Sequence, residues 1–276
     1  MEKTTEGFVI KVKVLVPYGY GLNCEDETIY SYELAGASAD KIHLGDLITN
    51  PEMLEDYQIL DFIGGFVDGD HISAAKIDAN RLRYRLKSQI QQFIDDGKLI
   101  IGVCNGFQKL VKAGILPGLT RDYSTVRMTI TYNLSGKFED RWVHLGVNRK
   151  SNCVWTKDIE QLYLPVRHGE GRVRIRDQKV LEGLRENNQI VVQYVNPQTR
   201  LPTMEYPYNP SGADDSIAGI CDPTGRIFGM MPHREAFLSP YNHPNWTRMK
   251  TEGIIPEPVG KLISQNAVEY IKERLS

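Results

Sequence analysis

Residues 98–108 read Lys98-Leu99-Ile100-Ile101-Gly102-Val103-Cys104-Asn105-Gly106-Phe107-Gln108. Leu99 to Val103 is an unbroken apolar run of strand length. It leads straight into Gly-x-Cys-x-Gly, and a helix-like pattern follows that closes at Ala113-Gly114. A strand that turns directly into a helix at a cysteine or serine between glycines is a nucleophile elbow. The turn leaves no room for a side chain beside the nucleophile, which accounts for Gly102 and Gly106. It is expected to hold Cys104 in a strained backbone conformation with its sulfur exposed at the edge of the sheet. The helix N-terminus behind the sulfur favours the thiolate. The competing reading is a chance match around an inert buried cysteine. The preceding strand and the following helix are the context an elbow needs.

Upstream of the elbow the chain alternates strand and helix. Residues 8–16 read as a first strand, Glu25 to Leu34 as a helix ended at Gly36, and Asp40 to Leu44 as a second strand. Tyr57 to Ile63 reads as a third strand ending at Gly64-Gly65. Ile72 to Asp96 reads as one long helix with Gly97 as its stop. Strict alternation predicts an α/β fold with a doubly wound, mostly parallel sheet flanked by helices. Ligands in such sheets bind outside the carboxyl ends of the strands, so Gly64-Gly65 and Cys104 should share one rim.

From about 121 to 230 the pattern changes to short antiparallel strands. The candidates are Arg127–Tyr132, Arg141–Val147, Gln161–Val166, Gly171–Ile175 and Gln189–Val195, then Ile217–Cys221 turning at Asp222-Pro223-Thr224-Gly225 into Arg226–Met231. Lys261 to Leu275 closes the chain as an amphipathic helix. No linker, repeat or low-complexity tract interrupts residues 1–276, which predicts a single domain.

Net charge is −2 over 276 residues, so nothing points to nucleic acid or an anionic membrane surface. No apolar run is long enough to span a bilayer. The stretch after Met1-Glu2-Lys3-Thr4-Thr5-Glu6 is interrupted by Lys11 and Lys13, unlike a secretory leader, so a cytoplasmic protein is expected. The four cysteines, at 24, 104, 153 and 221, are scattered with no Cys-x-x-Cys. That argues against a zinc site and a disulfide framework, and no metal is expected.

A second cluster, Met231-Pro232-His233-Arg234-Glu235, supplies an imidazole and a carboxylate at the end of a strand. In extended chain the side chains of His233 and Glu235 project to the same side. Such a carboxylate fixes the imidazole tautomer and stabilises the imidazolium, which in turn keeps a thiol ionised. The alternative is a surface loop with incidental charge. Free backbone N–H groups at Gly64-Gly65-Phe66, with that of Asn105, suit an oxyanion, or mark an ordinary tight turn. Gln108 lies one helical turn past Cys104 on the same side, placed either to hydrogen-bond a polar substrate or to stay in solvent. His168-Gly169-Glu170-Gly171 follows a strand as a pocket turn or a plain loop. Asn23-Cys24-Glu25-Asp26-Glu27-Thr28 reads as a helix start with acidic residues in its first turn, structural in role and a candidate lining of the pocket.

These segments resemble the class I, triad-type glutamine amidotransferases, and more narrowly the glutaminase subunits of phosphoribosylformylglycinamidine synthases. The match is carried by 22–28, Gly64-Gly65-Phe66 with Gly69-Asp70, 102–108, 114–118, Arg141-Trp142-Val143-His144-Leu145, 164–171, 217–221 and Met230-Met231-Pro232-His233, in the family's order along nearly the whole chain. The resemblance implies a flavodoxin-like fold and a Cys104, His233, Glu235 triad acting on L-glutamine through a glutamyl thioester. Gly65 and Asn105 would form the oxyanion hole, and Gln108, Gly64 and Phe66 would meet the substrate. His168 and Asn23 would border the pocket or a partner. It further implies delivery of ammonia to a synthetase subunit, with a small accessory subunit in the same assembly. ATP and magnesium would sit on the synthetase, and no cofactor on this chain. Three departures stand out: Ile63 replaces the family's proline before the double glycine, Phe66-Val67-Asp68-Gly69-Asp70 replaces Phe-Ser-Tyr-Gly-Asp, and Arg234 replaces the proline of Pro-His-Pro-Glu. There is also extra sequence near 121–133 and 237–258. Two other functions compete: an ester-cleaving cysteine hydrolase of the α/β-hydrolase type, and a degenerate amidotransferase-like scaffold. In the former the acid usually precedes the histidine, the reverse of His233 and Glu235.

Overall fold

The computed structural model describes residues 11–275. The N-terminal stretch read as unlike a secretory leader, apart from Lys11 and Lys13, and the first three positions of the 8–16 strand lie outside them. The first half runs β1 (Lys13–Tyr18), α1 (Glu25–Leu34), β2 (Ser38–His43), α2 (Leu44–Thr49), β3 (Ile59–Phe62), α3 (Lys76–Arg85), α4 (Lys87–Asp95), β4 (Leu99–Val103) and α5 (Asn105–Ala113). Its strands lie in the order β2-β1-β3-β4 and are all parallel. The winding reverses at β1, so right-handed crossovers put α1 on one face and α3 to α5 on the other. Every residue of α5 is buried. Its two lysines are therefore paired, Lys109 with Asp78 and Lys112 with Glu170, since an unpaired cation there would be costly.

The segment read as one helix from 72 to 96 is two. The backbone breaks at Leu86 (φ −121°, ψ 9°), and residues 72–75 form a turn with Ile72 and Ala75 at positive φ. Leu82, Leu86, Ile90 and Ile94 are all buried, so the apolar period runs across the break with no glycine or proline to mark it. What differs is tertiary: the buried Asp78–Lys109 pair ties α3 to α5.

The second half runs β5 (Met128–Thr131), β6 (Glu139–Val147), β7 (Gln161–His168), β8 (Arg172–Ile175), α6 (Gln178–Glu186), β9 (Ile190–Tyr194), β10 (Ile217–Cys221), β11 (Ile227–Met230), α7 (Trp246–Thr251) and α8 (Gly260–Leu275). β5 and β8 form their own antiparallel ladder. The others extend the main sheet into a mixed one of nine strands, β2-β1-β3-β4-β11-β10-β9-β6-β7. β11 lies parallel to β4 and antiparallel to β10, and is the seam between the two halves. Its register sets Gly229 against Gly102 and Met230 against Val103, so the residues leaving β11 emerge beside those leaving β4. The antiparallel half curls back to this rim: on edge strand β7 the Pro165 carbonyl accepts the His233 N–H at 2.8 Å.

Candidate active site

Cys104 sits between β4 and α5 at φ 50°, ψ −106°, a region that non-glycine residues rarely adopt. Its N–H donates to the Met230 carbonyl at 2.8 Å and its carbonyl accepts the Gln108 N–H at 3.0 Å. The elbow glycine is required by close approach. A Cβ on Gly106 would lie 1.8 Å from the Phe62 carbonyl oxygen of β3. The expected exposure of the sulfur is corrected: Cys104 is only 4% exposed. The curled antiparallel half covers it, and the thiol points at the Arg167 carbonyl of β7, 3.6 Å away.

His233 and Glu235 are both buried, and His233 Nδ1 donates to Glu235 Oε1 at 2.5 Å. The pair meets across a tight 3-10 turn at Arg234–Ala236, not along extended chain as the alternation argument assumed. Burial pushes the imidazole down, but the carboxylate of Glu235 and the sulfur of Cys104 outweigh it and hold the ring well above the usual histidine range. Burial likewise opposes the charge on Glu235, and His233 outweighs it, keeping the carboxyl below its ordinary value. The pair is therefore an imidazolium–carboxylate. His233 Nε2 is buried without a complete hydrogen bond, while the thiols of Cys104 and Cys24 both interact with the ring. Gly64 separates nucleophile and base. A Cβ there would lie 2.8 Å from His233 Cε1 and 3.4 Å from Cys104 Cβ, so the ring and the nucleophile face each other across a gap only glycine leaves open.

The turn after β3 is fastened to the turn after β1. Asn23 N–H donates to the Gly64 carbonyl at 3.0 Å and Phe66 N–H to the Gly21 carbonyl at 2.9 Å. Phe66 N–H is thus engaged, whereas the N–H groups of Gly65 (φ 136°) and Asn105 have no hydrogen-bond partner among the described residues. The Phe66 ring is half-exposed on the rim, 6.1 Å from that of Phe138.

Gln108 is buried, which overturns the solvent-exposed alternative. Its Nε2 donates to the Glu170 carbonyl at 2.5 Å and its Oε1 accepts from Asn105 Nδ2 at 3.0 Å. Both ends of the amide are engaged by protein. Asn105 Nδ2 also donates to Asp70 Oδ1 at 3.1 Å. Glu170 accepts the Ala74 N–H at 3.0 Å and Lys112 Nζ at 3.3 Å. The turn at 70–75, helix α5 and the loop at 168–171 are one buried polar knot. His168 belongs to it, with Nδ1 3.0 Å from Asn133 Oδ1. Burial, with the charge of His233 nearby, pushes its imidazole down to about 3, so it is neutral. The sequence reading gave Glu170, Lys112 and Asp70 no role, although the His-Gly-Glu-Gly and Gly-Asp motifs pointed to two of them.

Arg234 was legible only as a departure from pattern. Its side chain is fully buried, and the guanidinium donates to Ser31 Oγ at 3.0 Å and to Ser264 Oγ and Asp61 Oδ2. It lies 5.0 Å from the Tyr32 ring, whose hydroxyl donates to the same carboxylate oxygen at 2.9 Å. The residue between His233 and Glu235 thus anchors their turn to β3, α1 and α8.

A sulfur on an elbow, facing a buried imidazolium–carboxylate at the carboxyl rim of an α/β sheet, is the apparatus of cysteine-dependent acyl transfer. The chain belongs to the CobB/CobQ-like glutamine amidotransferase family, whose model matches residues 11–271. Among its relatives is the phosphoribosylformylglycinamidine synthase subunit PurQ of Dehalococcoides mccartyi, 43% identical over 95% of this chain and 99% of that protein. The PurQ subunit of Methanococcus maripaludis is 42% identical over 96% and 100% of the two chains. A chain in the structure of PurLQS from Thermotoga maritima superposes with a TM-score of 0.69 at 26% identity, covering 95% of this chain and all of that one.

Proposed function

We propose that this chain is the glutaminase subunit of a phosphoribosylformylglycinamidine synthase. It hydrolyses L-glutamine and hands ammonia to a synthetase subunit in purine biosynthesis. The observation that carries the chemistry is the Gly64 gap, across which Cys104 and His233 face each other. With its proton already held by His233, the Cys104 sulfur attacks the side-chain amide carbon as the thiolate. The oxyanion that forms is held by the unpaired N–H groups of Gly65 and Asn105. His233 then gives its proton to the departing ammonia, leaving a glutamyl thioester, and next takes a proton from water as the thioester is hydrolysed to glutamate. Glu235 keeps the ring oriented and stabilises its cation.

Gly64, Phe66 and Gln108 line the substrate pocket, with His168 and Asn23 at its margin. Gln108 reaches bound glutamine only by releasing the Glu170 carbonyl or Asn105. ATP and magnesium act on the synthetase subunit, and a small accessory subunit completes the assembly. The whole chain works as one domain in the cytoplasm. Family membership and near-full-length similarity to PurQ subunits support this reading over an esterase or an inert scaffold.

The test is ammonia release from glutamine, with and without the synthetase subunit, for wild type and Cys104→Ala. The expected result is weak activity alone, strong stimulation by the partner, and loss of at least about 10³-fold in the variant. Equal rates for wild type and Cys104→Ala would refute the reading.

A further inference from the structure

Cys24 is a thiol at the active site that the proposed chemistry leaves unused. It caps the start of α1 in the left-handed conformation (φ 70°), and its Sγ lies 3.1 Å from Asn23 Oδ1. Its Sγ, a ring nitrogen of His233 and a carboxylate oxygen of Glu235 all lie within 4.8 Å of one another. No other group of three such donors stands together among the described residues. Glu235 Oε2 is buried without a hydrogen bond, and His233 Nε2 is buried with only the thiols of Cys104 and Cys24 beside the ring. Unsatisfied buried polar atoms are uncommon in native proteins and call for an explanation, a bound ion among them.

We propose that Cys24, His233 and Glu235 form an inhibitory site for zinc, which takes the base of the triad out of action when it binds. One sulfur, one imidazole nitrogen and one carboxylate oxygen are the donor types zinc prefers, and three protein ligands leave a position for water or for Cys104. Zinc bonds of about 2.0–2.3 Å put tetrahedral donors roughly 3.5 Å apart. The three donors already lie within 4.8 Å of one another, and His233 Nδ1 and Glu235 Oε1, hydrogen-bonded at 2.5 Å, must separate to admit the ion. Binding displaces the Cys24 thiol proton and a ring proton of His233 to solvent. No electron is transferred, and a chelator reverses the step. The scattered cysteine positions concealed this site, because its donors come from the turn after β1 and the turn after β11 and meet only in the folded sheet.

The test uses the purified full chain for binding and its complex with the synthetase subunit for activity. Cobalt(II) serves as the spectroscopic probe and zinc as the inhibitor. Wild type and Cys104→Ala should each bind one cobalt ion with a thiolate-to-metal absorption band, and Cys24→Ala should lack the band. Zinc should inhibit wild-type glutaminase, and EDTA should restore it. Cys24→Ala and Cys24→Ser should keep metal-free activity. Both should lose zinc sensitivity by more than the roughly 10–100-fold typical of losing a mere outer-shell partner. The proposal is overturned if Cys24→Ala and Cys24→Ser are as zinc-sensitive as wild type, or if Cys104→Ala lacks the thiolate band. The cobalt readout does not depend on turnover, so its failure is distinguishable from failure of the glutaminase assignment.

Discussion

Glu235 does its work on one ring nitrogen, and its replacement separates charge from shape. Glu235→Gln keeps the volume and removes the negative charge that holds His233 as a cation. The expected loss in kcat for glutamine hydrolysis is about 10²–10⁴-fold, with KM nearly unchanged, read by ammonia release. The same charge also stabilises the fold, with a defined pH dependence. The folded value of His233 is raised, so its contribution is complete below the ordinary 6.5 and fades as pH climbs through the raised value. The folded value of Glu235 is lowered, so its contribution is complete above the ordinary 4.5 and fades as pH drops through the lowered value. Glu235→Gln should therefore lower the urea midpoint most between those two ordinary values, and the deficit should shrink in alkali. An equal deficit at all pH values would show that the pair is held by packing alone. At this scale the sequence disclosed residue types well and surroundings poorly. Cys104, His233 and Glu235 were readable from local pattern. The cover over the sulfur and the engaged amide of Gln108 were not, because both come from β7 and the 168–171 loop, far away along the chain.

Arg234 and Asp61 join elements that local pattern treats separately. The ion pair has no exposure, and both partners also hydrogen-bond to neighbours on α1, as Arg234 does to α8. Removing one partner strands the other charge in the interior. Arg234→Met should destabilise the protein by about 3–5 kcal/mol, and the double variant Arg234→Met, Asp61→Asn should regain much of that, as measured by denaturant unfolding. A double variant as unstable as the sum of the singles would show that the two charges are not coupled. Helices α1, α5 and α8 and most strands were visible as periodic runs between turn residues. Helix α6 lies between the short strands β8 and β9, with Asp177 accepting the Val180 N–H at 3.0 Å and Val180 and Leu184 on its buried face. The break at Leu86 left no trace in sequence, since the forces that place it act between helices.

The nine-strand sheet is continuous through β11, which is bonded to β4 on one side and β10 on the other. Strand identity in each half could be read from the sequence. That the two halves share one sheet could not, because the pairing of β11 with β4 joins segments separated by most of the antiparallel half. A continuous sheet should unfold as a unit. Far-ultraviolet circular dichroism and the fluorescence of Trp142, Trp155 and Trp246 are expected to report one coincident transition, and two separated midpoints would show independent halves. The seam also bears on how the enzyme is made. During synthesis Cys104 leaves the ribosome well before His233, and the two meet only once β11 has been built and slotted in beside β4. A stalled or prematurely released chain thus carries its sulfur with no base to arm it, and a cell accumulating such fragments loses no glutamine to them.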